Sequence, residues 1–346
     1  MTVIVCIFCR PILELMQTPR DIIDGAYNYI FVIFLGIPAT YLYNLLSGII
    51  RSLGDSRTPL VFLIFSSVIN VALDFFTILV LGMGEEGAAW ATVIAQAVSG
   101  LLCLLYMKKK FSILKMEGEE WKPDGQYMKI LCGIGIPMGL QYSITAVGSV
   151  ILQVAVNSLG SMAVAAVTAG TKVILFLACP FDALGATMLP TAARMWGLKS
   201  WTVSTRLKGG PDYGFAYSVL ALGTVFFFGQ YIALMFADPG ETELIRNIRT
   251  FLTVNSLFFI PLVFVNGVRF MIQGLGYSKF AMIAGVCEMA ARAFVGFCLV
   301  PVFGYTAVCI ASPAAWIAAD LFLVPAYRQV MKNLSVLFGR TERLED

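Results

Sequence analysis

The 346-residue sequence contains no histidine, and only 13% of its residues are charged. Without histidine the chain cannot form imidazole-based haem or zinc sites, a Ser-His-Asp triad or a proton relay through that ring. Soluble proteins have about a quarter charged residues, whereas 59% of this chain is hydrophobic. The composition therefore predicts a membrane protein whose main partner is the lipid bilayer, and it supports neither hydrolase chemistry nor nucleic-acid binding.

The eight cysteines are scattered through apolar stretches. Cys6 and Cys9 form the one close pair, and the sequence has no second pair or histidine to complete a metal site. We interpret all eight as small hydrophobic residues. We therefore expect no metal cofactor, and we do not expect an enzyme.

Nine stretches are long and apolar enough to cross a bilayer, because a transmembrane helix needs about 20 mostly apolar residues. They lie at about 24–50, 58–81, 87–107, 128–156, 161–188, 213–236, 246–272, 279–301 and 303–327. Residues 1–9 form only half a span, which Arg10 and Pro11 are expected to end. The sequence predicts an all-α polytopic membrane protein whose chain starts within a helix.

The positive residues are unevenly distributed between the two sides of this topology. Seventeen Lys and Arg fall on one side, in the segments near 51–57, 106–129, 189–212, 273–279 and 328–346. The opposite side has four, which are Arg10, Arg20, Arg246 and Arg249. Because positive residues mark the cytoplasmic side, the C-terminus is predicted to be cytoplasmic.

The chain contains an internal repeat. The stretch NLLSGIIRSLGDSR at 44–57 aligns without gaps on NGVRFMIQGLGYSK at 266–279. Residues 1–107 thus correspond to roughly 221–327. The two spans within 128–220 have no partner in the first half, so we expect two helices to be missing before Met1.

A complete protein of this design would have twelve helices in two six-helix bundles. We expect residues 1–107 to be the remainder of the N-terminal bundle and residues 108–127 to be a cytoplasmic connector. Residues 128–330 would form the C-terminal bundle, and residues 331–346 a cytoplasmic tail. An architecture of two bundles favours transport through a cleft between them.

Asp74 is the most informative ionisable residue, because an ionised carboxylate at the bilayer centre costs about 2.5–3.5 kcal/mol on insertion scales. Asn70 lies one turn earlier on the same helix face, and a hairpin can bring Thr92 of the next helix to the same depth. These oxygen ligands suit a sodium ion or a proton. The alternative is that Asn70 and Thr92 only satisfy a structural aspartate, and the residues leave both interpretations open.

Other polar residues within the predicted spans are candidates for lining a cleft. Glu288 and Arg292 are four apart and can pair on one helix face, so a structural ion pair is the first interpretation. Lys172 and Asp182 can face a water-filled cleft. The full set of candidates is Gln96, Gln141, Lys172, Asp182, Glu288 and Arg292.

The run LYNLLSGIIRSLGDSRTPL at 42–60, GAAWAT at 87–92 and CPFDALGATM at 179–188 resemble the multidrug and toxic compound extrusion (MATE) transporters. The resemblance covers nearly the whole chain and implies the twelve-helix MATE fold, here with the first two helices missing. It also implies an antiporter that exports cationic or amphipathic compounds in exchange for sodium ions or protons. We expect a monomer in the bacterial inner membrane that alternates between outward-open and inward-open states.

The resemblance also assigns roles to residues. One branch of the family binds its coupling cation through an Asn, an Asp four residues later and a Thr in the next helix, and Asn70, Asp74 and Thr92 match that pattern. That branch adds an aspartate from its first helix, which this chain lacks. Another branch uses a carboxylate in its seventh helix, where this sequence has Thr145, and is therefore disfavoured.

Two alternatives to an antiporter remain. The first is a flippase for a lipid-linked sugar, although such proteins often have several basic residues in the cleft and only Lys172, Arg269 and Arg292 lie within spans here. The second is a non-functional fragment of a disrupted transporter gene.

Residues 189–206 depart from the family pattern, which usually continues as ATYxGQNxGA. The eighteen residues LPTAARMWGLKSWTVSTR can be encoded so that one restored base in front changes them to ATYCGQNVGAEKLDRVNQ. The single codons of Met195 and Trp196 then force the Val of the family motif and permit its Asn. We predict a one-base deletion near codon 189, and the gene's nucleotide sequence tests it: a sequence that no single insertion converts to this loop would contradict it.

Overall fold

The computed structural model describes residues 2–15, 23–111, 124–198 and 209–345. These residues form helices joined by short connections, and none of them forms a strand. The predicted all-α class is confirmed.

The chain divides into two compact units, Met1–Pro123 and Asp124–Asp346. The helices of the first unit are α1 (Thr2–Leu15), α2 (Ile23–Leu35), α3 (Ile37–Ser52), α4 (Arg57–Phe75) and α5 (Gly84–Lys110). Those of the second are α6 (Gly125–Asn157), α7 (Ser161–Leu198), α8 (Gly209–Leu234), α9 (Thr242–Leu257), α10 (Phe259–Gly274), α11 (Ser278–Phe294), α12 (Val300–Phe303) and α13 (Tyr305–Glu345). The four-part division drawn from the sequence stays a prediction, and most of its connector lies outside the described residues.

The described residues contain seven helices long and apolar enough to cross a membrane, and up to nine spans if two bent helix pairs each count as one. The bent pairs are α2 with α3, at 42°, and α9 with α10, at 52°. The nine spans correspond to the nine stretches predicted from the sequence. Residues 199–208 are outside the described part, so the proposed frameshift stays a prediction.

The first helix runs beyond its predicted end. The apolar run was expected to stop at Arg10 and Pro11, but α1 passes through Pro11 and ends at Leu15. Arg10 Nε lies 3.8 Å from Glu14 Oε1, one turn later, so a partner on the same helix offsets its charge. Proline removes only one backbone hydrogen bond, and helices in membranes tolerate that loss.

Apolar side chains cover the outside of both units. On α4 the exposed large residues include Val61, Ile64, Phe65 and Val68. A surface this apolar is costly in water and matches the hydrocarbon of a bilayer. The first unit packs internally around Tyr43, Leu46, Ile50 and Cys103, and the second around a larger cluster that includes Phe181, Phe259 and Trp316.

The internal repeat is also visible in the backbone geometry of the turns that follow α3 and α10. Gly54 and Gly276 end α3 and α10 with φ of 97° and 86°, values that glycine adopts without steric cost. The N–H of Asp55 donates to Ile50 O at 3.2 Å, and the N–H of Tyr277 donates to Ile272 O at 3.0 Å. Both turns are therefore Schellman motifs, built by the two Leu-Gly pairs that align in the sequence.

The two copies also share their irregularities. α2 and α3 are separated by Gly36, and the bend between α9 and α10 is at Phe258. A Cβ on Gly36 would lie 2.4 Å from Val93 Cγ2, so only glycine lets the bend pack against α5. A π-helical segment follows the next helix in each copy, at Phe76–Val80 after α4 and at Val295–Leu299 after α11.

Asp55, in the turn after α3, forms hydrogen bonds to residues at the C-terminal end of α5. Its Oδ2 accepts from Tyr106 Oη at 2.6 Å, from Thr58 Oγ1 at 2.9 Å and from Lys110 Nζ at 3.2 Å. The Thr58 backbone N–H donates to Oδ1 at 3.1 Å. These donors, above all the Tyr106 hydroxyl, hold the pKa of Asp55 well below its usual range.

We predict that Asp55→Asn destabilises the protein at neutral pH. The lowered pKa of Asp55 means that its carboxylate stabilises the fold above the pKa of the unfolded chain, about 4, and that this contribution is lost as pH falls through the folded value. The melting temperatures of wild type and variant in detergent should therefore converge in acid. Asp238→Asn, in an exposed turn, is the control and should match wild type throughout; a gap that stays constant with pH would contradict the prediction.

Candidate functional site

Two hydrogen bonds set the register of α4 against α5. Ser66 Oγ donates to Ala95 O at 2.7 Å, and Ser99 Oγ donates to Phe62 O at 3.4 Å. The two contacts are one helical turn apart on each helix, and small polar residues let membrane helices approach closely. One further turn along, this register brings Asn70 opposite Thr92.

Asn70 and Thr92 are in contact, as the sequence predicted. Asn70 Nδ2 lies 3.4 Å from Thr92 Oγ1, and Thr92 Oγ1 donates to Ala88 O at 3.0 Å. The Asn70 amide therefore uses its donor on the threonine. Its carbonyl oxygen remains an acceptor on the same side of the hairpin.

Asp74 is one turn beyond Asn70 on α4, next to the start of the π-helical segment. Its Oδ1 is buried and has no hydrogen-bond partner among the described residues. The residue lines a shallow pocket of about 300 Å³ with Val71, Phe75, Ile78 and Leu79. A buried carboxylate oxygen without a partner is unfavourable unless a cation or a proton neutralises the group.

Gln96, predicted as a cleft residue, is on α5 one turn beyond Thr92. Its Oε1 is also buried without a partner among the described residues. The α4–α5 hairpin thus has two unpartnered acceptor oxygens, on Asp74 and Gln96, with the Asn70–Thr92 contact between them along the helices. Carboxylate, amide and hydroxyl oxygens are ligands for a hard cation, and a carboxylate can equally hold a proton.

In the second unit, Glu288 has two positive partners. It forms a hydrogen-bonded ion pair with Arg269 of the preceding helix, and its Oε2 lies 3.9 Å from Arg292 Nη2. Arg292 Nη1 also donates to Thr145 O at 3.2 Å. The Glu288–Arg292 ion pair that the spacing suggested is present, but the closer partner of Glu288 is Arg269.

The other predicted cleft residues of this unit have different environments. Gln141 is buried and accepts from Gln273 Nε2 at 2.9 Å. Asp182 is exposed and its Oδ1 accepts from Asn266 Nδ2 at 2.8 Å, whereas Lys172 is exposed. Their role in a substrate cleft stays a prediction.

Sequence reasoning assigned no site role to Arg269, Asn266, Gln273 or Asp320. The first three belong to the repeated stretch 266–279, where Arg269 and Gln273 replace residues of the first copy and were a usable signal, whereas Asn266 aligns with an identical asparagine. Asp320 had only the signal of an acidic residue within an apolar span. Its Oδ1 is buried and has no partner among the described residues.

The family model described as MatE matches residues 1–76 and 137–298. The probable multidrug resistance protein YpnP of Bacillus subtilis is 29% identical over 278 residues, which are 79% of this chain and 60% of the relative. The multidrug export protein MepA of Staphylococcus haemolyticus is 22% identical over 305 residues, 87% of this chain and 66% of the relative. The chain thus spans about 60% of the length of YpnP.

Solved structures show the same fold. The outward-facing conformation of a multidrug resistance MATE family transporter has a TM-score of 0.86 at 18% identity, covering 97% of this chain and 76% of that one. The Vibrio cholerae MATE transporter VcmN in the bent form has a TM-score of 0.82 at 18% identity, covering 97% and 76%. Since the family model matches well over half of its residues, this multi-pass membrane chain belongs to the MATE transporter family.

Proposed function

We propose that the chain is a secondary antiporter that exports small cationic or amphipathic compounds, driven by a sodium ion or proton that binds at Asp74. The curated relatives named above are multidrug resistance and export proteins. The observation that carries the proposal is the buried Oδ1 of Asp74 with no partner among the described residues. We place the protein in the bacterial inner membrane as a monomer, with its C-terminus in the cytoplasm.

The energetic argument concerns the carboxyl group of Asp74. An ionised carboxylate in an apolar recess is destabilised by several kcal/mol unless it is paired. Among the described residues no arginine or lysine forms an ion pair with Asp74, unlike Glu288. A mobile cation, or a proton, supplies the missing partner and can leave again.

Asn70, Thr92 and Gln96 add neutral oxygen ligands on the same hairpin. Neutral ligands favour a weakly bound monovalent ion, because each extra carboxylate would strengthen binding and slow release. A transporter needs the ion to bind on one side of the membrane and dissociate on the other. Linkage requires that an ion which weakens substrate binding is itself bound more weakly when substrate is present.

The structure does not favour a lipid-linked sugar flippase. Recognition of a lipid diphosphate needs accessible basic side chains. Arg269 and Arg292 are each 8% exposed and both lie against Glu288. Among the basic residues that the sequence placed within spans, only Lys172 is exposed.

We predict that Asp74→Asn reduces cation-driven efflux to background while membrane expression stays at the wild-type level. Asparagine has the same shape but carries no negative charge that could bind a cation or a proton. The driving ion should therefore no longer affect transport. The measurement is efflux of a fluorescent organic cation from proteoliposomes with an imposed sodium or proton gradient. Ser67→Ala, at an exposed position on the same helix, is the control and should transport as wild type.

Two outcomes of this efflux experiment have separate meanings. Active wild type with equally active Asp74→Asn would remove Asp74 from the mechanism. Wild type that inserts correctly but gives no gradient-dependent efflux of any tested organic cation would contradict the proposed activity.

We predict that Asn70→Ala and Thr92→Val weaken cation binding without abolishing it. Each change removes one neutral oxygen ligand, worth about 1.5 kcal/mol, which corresponds to about a tenfold higher Kd. Binding can be measured by calorimetric titration of sodium ions, or of protons by following pH-dependent melting. Thr250→Val, on the exposed face of α9, is the matched control, and an effect of equal size there would contradict a ligand role.

A further inference from the structure

Five ionisable side chains of the second unit form what we call the arginine–carboxylate cluster. Its members come from four helices: Asp182 on α7, Arg269 on α10, Glu288 and Arg292 on α11, and Asp320 on α13. Arg269 is central, because it pairs with Glu288, Asp182 bonds Asn266 one turn before it on α10, and α13, which bears Asp320, packs against α10 and α11. The proposed function at Asp74 does not involve this cluster.

The charges of the cluster do not balance. Two guanidinium groups face three carboxyl groups, so one negative charge is in excess when all five are ionised. An uncompensated charge within the hydrocarbon region costs several kcal/mol. Arginine does not give up its proton in proteins, so the balance has to come from a carboxyl group or from a bound cation.

The surroundings of the three carboxyl groups differ. Glu288 is 2% exposed and has two guanidinium partners, which stabilise its ionised form. Asp182 is exposed, and its Oδ1 accepts from Asn266 Nδ2 at 2.8 Å, so it has a hydrogen-bond donor that Asp320 lacks. Asp320 is half-buried, forms no ion pair within 4.0 Å among the described residues, and has a buried Oδ1 without a partner there.

Two of the further buried polar atoms that have no partner among the described residues belong to α10. They are Nε of Arg269 and Oε1 of Gln273, and both residues are less than a tenth exposed. Arg269 and Gln273 are one turn apart on the same face of α10. Gln273 Oε1 is an acceptor, the kind of group to which a protonated carboxyl group can donate.

Among the described residues, the helices packed against α13 bring no other buried charge towards Asp320. The cluster residues Arg269, Glu288 and Arg292 are the charged groups that the middle of α10 and α11 present. The charged residues of α9 and α6 are exposed, and the π-helical segment and α12 contain none. The exposed groups in question are Glu243, Arg246, Arg249, Lys129 and, at the start of α11, Lys279.

We propose that Asp320 is a proton-binding site of the second unit, which holds one proton and exchanges it with water as the surroundings change. The bound proton makes the cluster neutral, because two guanidinium groups then face two carboxylates. Loss of the proton leaves a net negative charge beside Arg269. A group of this kind responds to pH independently of the cation bound at Asp74.

The test is a pH titration of the purified 346-residue chain in detergent, followed by infrared difference spectroscopy. A protonated carboxyl group has a C=O stretching band that a carboxylate lacks. We expect such a band at a pH where exposed aspartates are already ionised, and its disappearance at alkaline pH. Because Asp74 can also hold a proton in the proposed function, the band assigned to Asp320 is the component that remains in Asp74→Asn. Labelling with ¹³C-aspartate should shift the band, which distinguishes Asp320 from Glu288.

Asp320→Asn should abolish the band, and because asparagine mimics the neutral carboxyl group, this variant should still fold. Asp74→Asn and Asp182→Asn should keep it, and so should the exposed control Asp238→Asn. Absence of the band in wild type at every pH would overturn the proposal, since a metal cation or another arrangement would then balance the charge. Persistence of the band in Asp320→Asn, or its loss only in Asp74→Asn, would also overturn it, whether or not the chain transports.

Discussion

Neutralisation of charge in a low-dielectric environment is the constraint on which this structure depends. The helices expose apolar surfaces to lipid, so each ionised side chain within them needs a partner of opposite charge. Two acidic residues of the chain differ in this respect. Glu288 has permanent partners, Arg269 and Arg292, while Asp74 has no charged partner among the described residues.

The internal repeat shows which residues correspond between the copy that contains Asp74 and the copy that contains Glu288. With the two Leu-Gly turns aligned, Ser66 of α4 corresponds to Glu288 of α11, and Asn70 corresponds to Arg292. In the first unit Ser66 bonds to a backbone carbonyl and Asn70 to a hydroxyl, so that face stays neutral around Asp74. In the second unit the same face has a fixed guanidinium. A shared backbone therefore supports a covalently attached positive charge in the second copy, and in the function proposed above an exchangeable one in the first.

The sequence predicted the helices well because lipid allows few alternatives. A bilayer-spanning stretch must be apolar and helical, and the bent pairs were found as single spans since Pro38 and Pro261 do not change their apolar length. The contact between Asn70 and Thr92 could be predicted because it needs only helix periodicity and a short hairpin.

Two contacts of the second unit were not predicted, one between consecutive helices and one between helices far apart in the sequence. The pairing of Arg269 with Glu288 and of Gln141 with Gln273 depends on the rotation of each helix about its axis, which long apolar stretches do not specify. For Asp320 the sequence gave only the signal of an acidic residue within an apolar span. Pro11 was expected to end a helix, and the local rule failed there because a proline removes only one backbone hydrogen bond of the helix.

The two π-helical segments change the direction in which the following side chains point. A π turn contains one residue more than an α turn, so residues beyond it are rotated by about 100° about the helix axis. The segments follow the corresponding helix in both copies, at Phe76–Val80 and Val295–Leu299. In each copy, the helix face that bears Asn70 or Arg292 therefore does not continue in a straight line to the end of the span.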